Sequence, residues 1–357
     1  MLRYLVGLCA GAAVLLSLAS AASAQSRREV NAFVFGNSLI HHLTDTSETT
    51  VPYWLDQMAD AGGHGFAVDG RWGFMPEFSR DLPPEPNWTF DGVDRVWTNP
   101  RFAFRRVPFD TVILAPANFI QYQSPDSAYE GNNPNGDTPL GATGRVIDWT
   151  ASQARGARFF VYEGWAEMAS VVAYPPNAAG LADYWEANTG AYHQWYVDYV
   201  AALQFERPNL DITLIPVASI LADVMQNTAL SDLAATDLFS DDAPHGTANT
   251  YFLAAMITYS SLYAGPAPRL DEIPETIHPL IADNYDALSN RIWQSFSGAI
   301  IPDGAVAEIP ETGLVDPSLA MGLNGIADWS TQQPFINVMK TARPWICLLY
   351  TSPSPRD

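Results

Sequence analysis

Two short stretches carry residue types that could perform nucleophilic chemistry. The first, residues 30–42 (VNAFVFGNSLIHH), is an apolar, strand-like run that ends in Gly36-Asn37-Ser38-Leu39. A serine there sits where the chain must turn sharply out of a buried strand, which exposes its hydroxyl. The same pattern also makes an ordinary turn. The second stretch, residues 239–247 (FSDDAPHGT), places Asp242 and His245 three residues apart in a proline-containing loop ahead of a helix. A serine hydroxyl becomes a nucleophile when a base takes its proton. The base in turn needs a carboxylate to fix its tautomer and stabilise its charged form. Asp-x-x-His can supply both from one turn of backbone. The competing reading has Asp242 capping the following helix and His245 merely exposed.

The elements that must bring these stretches together alternate along the chain. A strand ending at Gly36 is followed by helical spacing over 48–61, where Val51, Trp54, Leu55 and Met58 share a face and Gly62-Gly63 closes the helix. A short strand is predicted at 66–68, ending in Asp69-Gly70-Arg71-Trp72-Gly73, and then an irregular excursion rich in proline and tryptophan at 75–106. Further strands are predicted at 110–114 (DTVIL), 158–162 (RFFVY) and 211–217 (DITLIPV), and helices at 141–155, 181–205, 219–229, 246–264 and 277–297. Residues 124–141 read as a polar loop. The strands are short, continuous and β-branched, which suits strands buried on both faces. The expected fold is α/β: a doubly wound, three-layer α/β/α sandwich on a five-stranded, mainly parallel sheet. In that fold Ser38 and the Asp242/His245 loop both lie at the carboxyl edge of the strands, where such sheets place their sites.

At this point the chain resembles the SGNH (GDSL-type) hydrolase superfamily, over roughly residues 30–265. Four blocks carry the resemblance, in order. Gly36-Asn37-Ser38-Leu39 is similar to the first, with Asn37 in place of the usual aspartate, and implies Ser38 as nucleophile. Gly70 in Asp69-Gly70-Arg71 matches the second and implies a backbone N–H for the oxyanion hole, with Gly73 a rival. Pro116-Ala117-Asn118-Phe119 matches the third only at Asn118, since Pro116 stands where glycine is usual. Asp242-x-x-His245 is the fourth. The resemblance implies a flavodoxin-like fold and a serine esterase in which Ser38, Asp242 and His245 form a triad. Ser38 N–H, Gly70 N–H and the Asn118 amide would hold the oxyanion. Proline has no N–H and fixes its own φ, so Pro116 puts the entry of the Asn118 loop in question.

The expected substrate is a small acyl ester, an acetyl group on carbohydrate among the candidates. The alternatives are a lipase- or thioesterase-type hydrolase of the same superfamily and a non-catalytic, glycan-binding module of a larger exported protein. Trp72 and Trp165 are candidates to line the substrate site, and Trp72, Trp88 and Trp97 either stack on a sugar ring or pin the long excursion. Trp165 has a packed, structural reading as well. The chemistry calls for no cofactor. His41 and His42 are adjacent and have no carboxylate at ligand spacing, so no metal is expected. His64 and His193 read as surface or helix-face residues.

Composition sets the outer bounds. The chain has 357 residues with 48% hydrophobic and 12% aromatic content, enough for a large core. The formal net charge is −21 and Lys340 is the sole lysine, so nucleic acid and anionic membranes are poor partners. Residues 1–24 read as a secretory signal with cleavage after Ala24, which implies a secreted or periplasmic protein with no stable membrane insertion after cleavage. The two cysteines are Cys9 and Cys347, so a disulfide framework is not expected in the body between them. Residues 25–300 are expected to form the hydrolase-like domain, 301–346 a linker and the start of a truncated second module, and 347–357 a non-native tail.

Overall fold

Five strands form where β-branched and aromatic residues run without interruption. They are β1 (Glu29–Gly36), β2 (Gly65–Trp72), β3 (Thr111–Leu114), β4 (Arg158–Tyr162) and β5 (Ile212–Ile215). The computed structural model describes residues 28–296 except 117–122, 130–132, 134 and 244. The signal segment, the linker and the tail read from the sequence therefore lie outside the described residues.

The strands form one sheet in the order β2-β1-β3-β4-β5, and every pairing is parallel. A parallel sheet requires crossover helices, and these cover both faces. The helices are α1 (Val51–Ala61), α2 (Met75–Arg80), α3 (Pro139–Gln153), α4 (Ala178–Thr189), α5 (Ala191–Glu206), α6 (Val217–Asn227), α7 (Ala235–Leu238), α8 (Ala248–Tyr263), α9 (Pro279–Asp283) and α10 (Tyr285–Phe296). α1, α6 and α10 pack on α8, while α3 packs with α2 and α5. This is the doubly wound three-layer sandwich that the alternation implied.

Three local differences matter. The strand predicted at 66–68 runs to Trp72, because β1 continues to pair with it through Gly36↔Trp72. The helix predicted at 181–205 is two helices broken at Gly190, whose φ of −90° and ψ of −122° lie outside the helical region. The helix predicted at 246–264 runs from Ala248 to Tyr263, and nearly every residue of it is buried, so it is a central helix.

The excursion after β2 is held by its own aromatic side chains. Trp97, Phe104 and Phe109 pack around Phe33 of β1, and Trp88 packs on Phe90. Trp88 and Trp97 are buried. Of their two readings, the structure takes the one in which they pin the loop.

Candidate active site

The strand order 2-1-3-4-5 has its reversal between β1 and β3, and the crevice at that point is where doubly wound sheets bind ligands. Ser38 stands there. Asn37 is buried and turns the chain. Its Oδ1 accepts the Leu39 N–H at 3.1 Å, and its carbonyl accepts the N–H groups of Ile40 at 2.9 Å and His41 at 3.2 Å. Such an Asx turn lifts the following side chain outward. Ser38 is half-exposed, and among the described residues neither its N–H nor its Oγ has a hydrogen-bond partner.

The second stretch is a closed loop. Phe239 and Gly246 form an antiparallel bridge, and Ser240 N–H donates to the His245 carbonyl at 2.9 Å. That closure sets His245 against the residue four positions back. His245 Nδ1 lies 2.7 Å from Asp241 Oδ2. The expected pairing with Asp242 is therefore corrected: Asp242 is exposed, and its carbonyl accepts the Ala169 N–H at 3.1 Å. The capping alternative is set aside too, because Thr247 occupies the N-cap of α8.

Tyr251, in the first turn of α8, joins the two stretches. Its hydroxyl donates to the Ser38 carbonyl at 2.5 Å, and burial together with the nearby Asp241 carboxylate pushes its pKa up. The His42 ring lies flat on the His245 ring, with centroids 4.2 Å apart and planes 11° from parallel. From the other side, the loop after β4 closes on the serine turn. Gly164 lies so near Leu39 that a Cβ there would overlap its side chain, and the Tyr162 hydroxyl donates to the Leu39 carbonyl at 3.3 Å.

The expected oxyanion donors fare unevenly. Gly70 lies inside β2, opposite Val34, and its N–H donates to the Trp88 carbonyl at 3.0 Å. It has no N–H to offer an oxyanion. Its rival Gly73 donates to the Gly36 carbonyl at 2.9 Å. Asn118 lies outside the described residues. Ser38 N–H is the donor that the described residues leave free. Pro116 is buried, and its carbonyl accepts the Tyr129 hydroxyl at 3.1 Å.

Several ionisable groups surround this edge of the sheet. Burial pushes the His41 imidazole down to about 4, with Asp91 opposing and His42 adding. The Trp88 indole N–H donates to His41 Nδ1 at 3.1 Å, as a neutral ring allows. Glu167 is 5% exposed and pushed up to about 8 by burial, with Asp242 adding to the effect. Glu163, at the end of β4, is fully buried and shifted upward by burial, against hydrogen bonds from His193 and Ser219. His193 Nδ1 is 2.8 Å from Glu163 Oε1. Burial lowers the His193 pKa, but that carboxylate outweighs it and the net shift is upward. His193 is thus an ion-pair partner across the sheet edge. His64 is buried, accepts the Arg28 N–H at 3.2 Å and stacks on Tyr263. His193 lies on the face of α5, as one of its two expected readings had it, whereas His64 is buried rather than at the surface.

The two tryptophans expected to line a substrate site separate cleanly. Trp165 is 1% exposed and packs edge-on against Tyr251, so it takes the structural role. Trp72 ends β2 beside the serine turn and is 41% exposed. Among the described residues no three His, Cys, Asp or Glu side chains cluster as a metal site would require. No helix among them is long and apolar enough to cross a membrane.

No protein-family model and no curated protein matches the chain. One solved structure is similar: a carbohydrate esterase family 2 enzyme with a carbohydrate-binding domain, from Corynascus thermopiles (Myceliophthora fergusii). It is 14% identical, with 66% of each chain covered and a TM-score of 0.33.

Proposed function

We propose that this chain is a serine ester hydrolase of the SGNH type, with Ser38 as nucleophile, His245 as base and Asp241 as the carboxylate that orients it. The observation that carries this reading is the 2.7 Å Asp241–His245 pair held beside an outward-facing serine turn at the reversal point of the sheet. Asp241 would fix the His245 proton on Nδ1 and present Nε2 to Ser38 as the acceptor. Ser38 would then attack an ester carbonyl, and the imidazolium would return its proton to the leaving alcohol. The Ser38 N–H and the Asn118 amide would hold the oxyanion, one donor fewer than the sequence blocks implied. Loss of a single donor lowers rate by about 100- to 1,000-fold, so a slow enzyme is the expected result.

The exposed Trp72 at the end of β2, opposite Gly36, supports a carbohydrate alcohol, because sugar rings stack on such faces. On this reading the substrate is a small acyl ester, acetyl included, of a saccharide, and the protein is exported by its residue 1–24 signal. Ser38→Ala is expected to abolish p-nitrophenyl acetate hydrolysis and labelling by a fluorophosphonate probe. Unchanged turnover in that variant removes Ser38 from the mechanism. A folded wild-type protein that neither turns over nor labels favours a binding module.

A further inference from the structure

His42 follows the serine turn by four residues and belongs to neither block of the presumed machinery. Its ring nonetheless covers the face of His245 at 4.2 Å, nearly parallel. The backbone on both sides of that stack is fixed. His42 N–H donates to the Thr49 carbonyl at 3.0 Å and the His41–Thr50 bridge ties down its own turn, while the Phe239–Gly246 bridge fixes the loop that carries His245. The His42 side chain thus meets His245 with its flat face. His42 Nδ1 is buried and has no partner among the described residues.

We propose that His42 is a positioning residue for His245, the flat face of its ring holding the imidazole in the plane that Asp241 selects. This rests on His245 acting as the base of the ester hydrolase proposed above. The clamp needs an uncharged ring, because two stacked imidazolium rings would repel. Burial and the neighbouring His245 both lower the His42 pKa, against the raising effect of Asp241 and the Gly246 backbone. The ionisable groups facing it are His245 and Asp241 from the loop, Tyr251 from α8 and His41 on its own turn. A neutral His42 therefore lets His245 take the Ser38 proton while still holding the ring in place.

The test uses His42→Ala and His42→Phe, both checked for folding by circular dichroism, in protein labelled with ¹⁵N-histidine. In wild type, the His245 Nδ1 proton shared with Asp241 is expected as a downfield resonance, assigned by its loss in Asp241→Ala. His42→Ala should lose or broaden it. The same variant should lower kcat roughly 10- to 100-fold with KM nearly unchanged, as slight misplacement of a reacting group does. His42→Phe should keep the resonance and stay within a few-fold of the wild-type rate. A folded His42→Ala that retains the resonance overturns the proposal, as does a folded His42→Phe that loses it as fully as alanine does. Failure of the esterase reading shows separately, as Ser38→Ala matching wild type, and leaves the resonance to decide the role of His42.

Discussion

At the scale of single residues the site turns on which carboxylate faces His245. The sequence reading took Asp242, at the Asp-x-x-His spacing, as that carboxylate. The bridge between Phe239 and Gly246 decided otherwise, and a bridge across a loop leaves no mark in residue types. Asp241→Ala is expected to lower kcat about 100- to 10,000-fold, while Asp242→Ala stays within a few-fold. The reverse ranking in p-nitrophenyl acetate kinetics would return the role to Asp242. Glu167 yields a second expectation. Its folded pKa of about 8 lies above the ordinary carboxylate value of 4.5. The folded state thus holds a proton that the unfolded state releases, and this contribution is complete below about pH 4.5 and is lost as pH rises toward 8. Glu167→Gln removes the loss. Its Tm should exceed that of wild type at pH 8.5 and match it at pH 5, and a gap independent of pH would show that burial is not the cause.

At the scale of elements, the strand–helix alternation was legible because each strand is a run of apolar, β-branched or aromatic residues bounded by glycine, proline or polar residues. The extent of β2 was less so. Asp69, Gly70 and Arg71 look like a turn, yet they pair with β1 because Gly70 allows a close approach: a Cβ there would stand 2.7 Å from the Val34 carbonyl oxygen. The glycine that resemblance assigned to the oxyanion thus serves the sheet. Gly70→Ala is expected to destabilise the fold by about 1–3 kcal/mol, measured by urea unfolding, as overpacking does. An unchanged midpoint would show that β1 and β2 yield easily at this point. The Glu163–His193 pair escaped the sequence because its partners lie 30 residues apart on a strand end and a helix. Only the packing of α5 over the end of β4 brings them together.

For the whole molecule, charge dominates the expected behaviour. A formal charge of −21 on 357 residues repels itself in the compact state, and the few arginines pair locally, as Arg207 does with Asp148 and Arg291 with Asp223. Salt should screen the repulsion more than it weakens these pairs, because the Debye length falls from about 10 Å at 0.1 M to about 3 Å at 1 M. The Tm is expected to rise between low salt and about 0.5 M sodium chloride, and a fall would mean that local pairs outweigh the net field. Composition made this much legible. The covering of the sheet by a helix buried on every side was not, because α8 has no polar face to give a period.

The Tyr251 hydroxyl bond to the Ser38 carbonyl spans 213 residues of sequence. Contacts of such separation close late, since the loop entropy between their ends must be lost before they form. A refolding chain could therefore regain most of its sheet while the serine turn still lacks its anchor. Helical circular dichroism would then recover ahead of hydrolysis, and the lag between them would time the docking of α8. The protein would carry its own clock for the last step of folding.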